Sequence, residues 1–126
     1  MGLAKDDLVL EVGHDSDCDS TLRDQLMAIT GTKFLEGSTS EVVDAVIIWW
    51  REGDGDLVDE LMDALTYLSE TGPIWVLTPK VGREGHVEPS DIQSAAPNVG
   101  LSQTSSLSVA ADWCATRLVA RKTAKR

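Results

Sequence analysis

Hydrophobic residues fall in short blocks between polar turns, and the spacing inside each block predicts alternating strands and helices. Leu8–Val12 (LVLEV) is a short, largely apolar run ending at Gly13, the pattern of a buried strand. The polar turn HDSDCDS follows, with Asp19 or Ser20 placed to cap a helix through TLRDQLMAIT. Leu22, Leu26, Met27 and Ile29 lie largely along one stripe of that helix, and Gly31 follows its end. Lys33–Leu35 is a short candidate for a second strand, and SEVVD, beginning at Ser40, for a single helical turn.

The stretch Val46–Lys80 is the clearest. Ala45–Trp50 (AVIIWW) is apolar at every position, as a central parallel strand covered on both faces should be. Gly53 and Gly55 release the chain, and Asp56 can cap a helix whose first turn carries Asp59 and Glu60, acids that suit its dipole. Leu57, Val58, Leu61, Met62, Leu65 and Leu68 recur at intervals of three and four, the stripe of a helix lying on a sheet. Gly72-Pro73 stops it, and Ile74–Thr78 is the paired strand. Together these make a parallel βαβ unit.

After the loop VGREGHVE, Pro89 suits the first turn of a short helix to Ala96, ended by Pro97 and Gly100. Gln103–Val109 and Trp113–Ala120 then alternate polar and apolar residues, which predicts an antiparallel hairpin. The expected fold is α/β, a Rossmann-like, mostly parallel sheet with an antiparallel C-terminal hairpin, in one domain over 1–126 with flexible ends at 1–6 and 121–126. No internal repeat is visible.

Charge narrows the function. The chain has 11 Lys and Arg against 21 Asp and Glu, a net −10. Five of the bases lie in the last ten residues, so positions 1–116 hold 6 bases and all 21 acids, a charge of −15. Such a body repels phosphate backbones, which excludes direct nucleic-acid binding by it. No apolar run approaches the ~18 residues of a membrane span, and the start MGLAKDDLVLEVG lacks the features of a signal peptide. Two cysteines without a framework spacing fit a reducing cytoplasm.

The order of elements resembles class I methyltransferases, whose sheet ends in an antiparallel strand. LVLEVGHDSD resembles their first motif, an acid at a strand end followed by a Gly-rich loop around the methionine part of the cofactor. The chain departs from the motif after Gly13, where Asp15, Asp17 and Asp19 stand in place of glycines that let a backbone approach a ligand. Glu36 lies near the position of the acid that would hold ribose. The resemblance implies a cofactor-free relative of that fold. A second resemblance spans nearly the whole chain: WWREGDGDL, IWVLTPK, GHVEPSDI, AAPNVGL and QTSS, with a later Trp and a TRLVA ending, are similar to a small acidic actinobacterial family, domain of unknown function thirty fifty-two. It implies a compact bacterial protein and carries no functional residues with it.

Candidate chemistry is sparse. Asp15, Asp17 and Asp19 alternate as an EF-hand loop begins, but its sixth and twelfth places hold Ser20 and Leu26, and Arg23 sits among the would-be ligands. Asp54 and Asp56 could meet magnesium, yet capping accounts for Asp56. WWREGDGDL has the glycines of a phosphate loop, but Glu52, Asp54 and Asp56 would repel phosphate. His14 and His86 have no Ser or Cys placed with them as a triad requires. Cys18 and Cys114 would lie three strands apart, ~14 Å at ~4.8 Å per strand, too far for a disulfide.

The remaining candidate is the carboxyl edge of the sheet, the usual ligand crevice of an α/β fold. Trp50, Arg51, Asp54, Lys80, His86 and Trp113 would gather there, with Arg51 facing Lys80, as a patch for an anionic small molecule or an acidic partner loop. The adjacent Trp49 and Trp50 should point to opposite faces. The expectation is a non-enzymatic interaction or regulatory domain with no catalytic residues, metal or cofactor, and a protein partner of unknown identity. The alternative is a small-molecule-binding domain or enzyme remnant using the carboxyl edge. The basic tail Arg121–Arg126 offers a further route to an acidic surface. Oligomeric state is left open.

Overall fold

The computed structural model describes residues 3–36, 42–69 and 72–120. Nine elements follow in order: β1 (Val9–Val12), α1 (Ser20–Thr30), β2 (Leu35–Glu36), β3 (Ala45–Trp49), α2 (Leu57–Leu65), β4 (Ile74–Pro79), α3 (Pro89–Asn98), β5 (Leu101–Ser108) and β6 (Trp113–Ala120). The six strands form one sheet in the order β2-β1-β3-β4-β6-β5. β2, β1, β3 and β4 run parallel, whereas β6 is antiparallel to both β4 and β5. This is the Rossmann-like sheet with an antiparallel final hairpin that the sequence predicts.

Strand alternation assigns the two apolar layers. Val9, Ile47, Trp49, Trp75, Leu77 and Trp113 pack on one face with Leu22 and Leu26 of α1. Leu10, Val46, Ile48, Ile74, Val76 and Leu118 pack on the other, under Leu57 and Leu61 of α2 and Ile92 of α3. Every residue of β3 is buried, the result of helices on both sides. Trp49 and Trp50 divide as expected, one to each layer.

Local signals set the helix ends. The Asp19 carboxylate accepts a hydrogen bond from the Leu22 amide at 2.8 Å, and Gly31 closes α1 in the left-handed region at φ 75°. Asp56 caps α2 through the Val58 amide at 2.9 Å.

Five expectations need correction. Residues 37–41 lie outside the described residues, but Val43 and Asp44, the end of SEVVD, are not helical. Val43 is fully buried and bridges Leu68, so burial of a β-branched side chain wins over the turn. The same bridge ends α2 at Leu65, short of Leu68. Helix α3 runs past Pro97 to Asn98, because a proline in the final turn removes only one backbone donor there. β2 holds only Leu35 and Glu36, and β5 starts at Leu101 instead of Gln103.

Candidate functional site

At the carboxyl edge, the connection from β1 leads to β2 on one side while β3 lies on the other. This reversal is where an open α/β sheet leaves its ligand crevice. On the α1 side the protein's own side chains bond across this crevice, while on the α2 side a groove of about 530 Å³ lined by Val12, Gly13, His14 and Glu60 stays open. Gly13 leaves β1 at φ 80°, and a Cβ at this position would lie 2.5 Å from the Trp49 carbonyl oxygen. The glycine therefore serves close backbone packing between β1 and β3.

Arg51 completes the closure. Its Nη1 donates to the carbonyl oxygens of Gly13 at 2.8 Å and Trp49 at 3.0 Å. Nε donates to Asp17 Oδ2 at 2.9 Å, and Nη2 donates to Asp17 Oδ1, a bidentate fork. The guanidinium also lies 5.4 Å from the centroid of the Trp113 ring, whose Nε1 donates to the Asp17 carbonyl oxygen at 3.2 Å. The fork holds the Asp17 carboxyl below its ordinary range and raises Arg51 further above its own. Burial pushes the neighbouring Cys18 thiol up, so it is no activated nucleophile.

Beneath this lock, the acid at the end of β1 is equally committed. The Glu11 side chain is fully buried and accepts from Arg23 at 2.6 and 2.7 Å and from Trp49 Nε1 at 2.9 Å. Trp113 meets Trp49 edge to face, with centroids 4.8 Å apart. A cofactor of the methyltransferase type would need Gly13, the following loop and this acid to be available. Glu11 is engaged, and Asp17 and Asp19 of the loop are bonded within the protein, so these residues do not fit S-adenosylmethionine, although Gly13 and His14 border the open groove.

The six candidate residues divide into three places. Arg51, Asp54 and Trp113 stay together, Asp54 accepting from the Arg51 amide at 3.0 Å. Trp50 is buried in the opposite layer, under α2 and α3, so it cannot share a patch with Trp113. Arg51 does not face Lys80, because its fork turns toward Asp17 while Lys80 Nζ donates to Ser108 Oγ at 2.6 Å across the hairpin. His86 Nδ1 donates to the Pro79 carbonyl oxygen at 2.9 Å, beside Lys80.

A concavity of about 420 Å³ includes Arg51 and Arg83, but Asp17, Glu52, Glu84 and Asp112 also line it. Arg83 pairs with Asp112 at 3.4 Å. Acids outnumber bases, which removes the expected anion patch from this side. The acidic turn has no common focus either: Asp19 caps α1, Asp17 holds Arg51 and Asp15 accepts from the Ser16 amide. Cys18 and Cys114 are free thiols. The tail Arg121–Arg126 lies outside the described residues.

Sequence reasoning missed the Glu11–Arg23 pair and the role of Asp17. Arg23 directly follows Leu22 on a helix over β1, a weak hint that its stem is covered. Nothing in the row of alternating aspartates singled out Asp17.

Residues 1–122 match the family described as protein of unknown function (DUF3052). The chain belongs to this family. Uncharacterised proteins of Mycobacterium tuberculosis strain H37Rv and Mycobacterium bovis are each 48% identical over 122 residues, covering 97% of this chain and 77% of theirs. Among solved structures, the fold is similar to the mitomycin 7-O-methyltransferase MmcR, with a TM-score of 0.64 and 14% identity over 91% of this chain. The chain spans about half of MmcR, 49% of its length. A SAM-dependent methyltransferase from Aquifex aeolicus is similar at a TM-score of 0.59 and 10% identity, covering 93% of this chain and 84% of that one. At such identities the likeness is one of fold alone. This DUF3052 protein has a methyltransferase-like body, and no helix among its described residues is long and apolar enough to cross a membrane.

Proposed function

We propose that this DUF3052 protein is a non-catalytic interaction or regulatory domain built on a methyltransferase-like sheet. The observation that carries the reading is Arg51, which bridges the ends of β1 and β3 by donating to the Gly13 and Trp49 carbonyls. A guanidinium held by four protein acceptors would have to be displaced before a nucleotide-like ligand could enter. The acidic body supports the same reading, since −15 over residues 1–116 repels phosphorylated cofactors at a distance. A reducing cytoplasm suits its two free thiols.

The test is thermal melting with S-adenosylmethionine, ATP and acetyl-coenzyme A. A ligand at about 100 times its dissociation constant adds roughly 2.7 kcal/mol, a rise of several degrees in Tm. No rise is expected with any of the three. A saturable rise, or turnover of any of them, would overturn the closed-crevice reading. The fold neighbours favour a second reading, a small-molecule-binding domain at the same sheet edge, and a cavity on the hairpin side of that edge supports it.

A further inference from the structure

A cavity of about 170 Å³ opens under the carboxyl end of β4, on the face covered by α3. It follows from the sequence of the strands. Toward the amino edge this layer is filled by Ile74, Val76 and Leu118. The inward positions that follow are Thr78 on β4 and Thr116 and Cys114 on β6, all smaller than the aliphatics they succeed. β5 adds Gln103 and Ser106, brought to one face by a bulge between Gln103 and Ser105. Gln103 Nε2 donates to Ser106 Oγ at 3.3 Å. The bulge thus aims a second polar side chain at the cavity where regular alternation would send it away. Val87 and Ile92 form the apolar wall.

Charge separates this cavity from the others. Glu11, Glu60 and Asp63 line the groove of about 530 Å³ between the end of β1 and α2, and Asp56 and Asp91 line another of about 480 Å³. Among the described residues, no acid lines the cavity under β4, while Lys80 and His86 do. Lys80 has three donors, of which Ser108 takes one, and no described carboxylate pairs with it. In a chain of net charge −10, a lysine with no carboxylate partner among the described residues is a selective feature, and an acid nearby, Glu88, lies 3.9 Å from His86 Nε2.

The geometry points to a binding site for a small monocarboxylate with a compact apolar body, its carboxylate on Lys80 and its body against Val87 and Ile92. Size fixes the class, because an apolar cavity of ~150 Å³ accepts benzene, and drug-sized ligands need about 300 Å³ or more. One lysine balances one negative charge. The amino end of α3 offers little to a phosphate, because Pro89 has no N–H and Glu88 stands at the cap. The site would give the regulatory domain proposed above its effector, and to that extent it rests on that reading.

The experiment is an NMR titration of the isotope-labelled full chain with benzoate and butanoate, with benzyl alcohol and butylamine as controls. Both acids should give saturable shifts at the Thr78, Ser106, Cys114 and Thr116 amides, and both controls should bind at least tenfold more weakly. Lys80→Met keeps the aliphatic stem and should weaken benzoate about tenfold or more, the loss of one charge-assisted hydrogen bond. Benzoate should also slow iodoacetamide alkylation of Cys114 but not of Cys18, read by peptide mass. Absence of saturable shifts, equal affinity for benzyl alcohol, or an undiminished Lys80→Met variant would each overturn the assignment. The S-adenosylmethionine test is independent of these outcomes, since Arg51 contacts the β1 side of the sheet edge.

Discussion

The two halves of one sheet edge are built on opposite plans. Between β1 and β3, Arg51, Asp17, Glu11, Arg23 and the Trp49 indole are bonded to one another or to the backbone. Between β4 and the hairpin, threonines, a serine and a cysteine leave a hollow, and the lysine at its mouth has only a hydroxyl for a partner. The first half spends its chemistry on holding the chain together; the second leaves chemistry unspent. In an α/β protein the edge position alone therefore does not identify a ligand site. What decides is whether the polar groups there already have protein partners.

If the closed half is structural, its substitutions should be costly. Glu11→Ala breaks a buried pair from the acidic side and should cost about 3–5 kcal/mol in denaturant unfolding. A loss under about 1 kcal/mol would show that water already reaches the pair. Arg51→Ala removes the donors to the Gly13 and Trp49 carbonyls and should cost about 2–3 kcal/mol. It is also the variant in which S-adenosylmethionine has its best chance of raising Tm.

Two tryptophans on the same face sharpen the comparison further. Trp49 Nε1 holds Glu11, whereas Trp75 Nε1 is buried with no hydrogen-bond partner among the described residues. Trp49→Phe should therefore cost about 1–2 kcal/mol more than Trp75→Phe, since only the first leaves a buried carboxylate short of a donor.

The Arg51 fork also predicts a pH dependence. Asp17 has a lowered pKa in the folded protein, so its stabilisation is fully present above the unfolded value of ~3.9 and is lost as pH falls through the folded value. Asp17 is about half exposed, with 53% of its side chain accessible, and solvent screening holds the gain to about 1 kcal/mol. The stability difference between wild type and Asp17→Asn should be constant above about pH 5 and shrink below about pH 4. A difference that persists unchanged into acid would mean that the fork contributes through shape, not charge. The smallest effect belongs to the open half, where Cys114→Ser should change stability by no more than about 0.5 kcal/mol.

Much of this was legible in the chain. Short apolar runs between turn residues gave β1, β3 and β4, three-to-four spacing gave α1 and α2, and period-two alternation gave the hairpin, because burial and backbone geometry set these patterns locally. Asp19, Asp56 and Gly31 gave the helix ends for the same local reason. The site was less legible. Arg51, Lys80, His86 and Trp113 lie near the carboxyl edge, since each follows or begins a strand there or lies in its loop. Their grouping was not readable, because it depends on which way each side chain turns. Cys114, Thr116, Ser106 and Gln103 gave no signal as ordinary hairpin residues, and only a bulge brings the last two onto one face.

The sequence by itself determined a mixed sheet, its two apolar layers, its helix caps and an acidic body. These follow from spacing and composition, which act over a few residues or over the whole chain at once. Tertiary structure alone decided that Asp17 meets Arg51 across 34 positions, that Glu11 meets Trp49 across 38, and that Lys80 stands over an acid-free cavity. Such pairings depend on strand order, register and a single bulge, and those are set by packing between segments that carry no record of one another in the sequence.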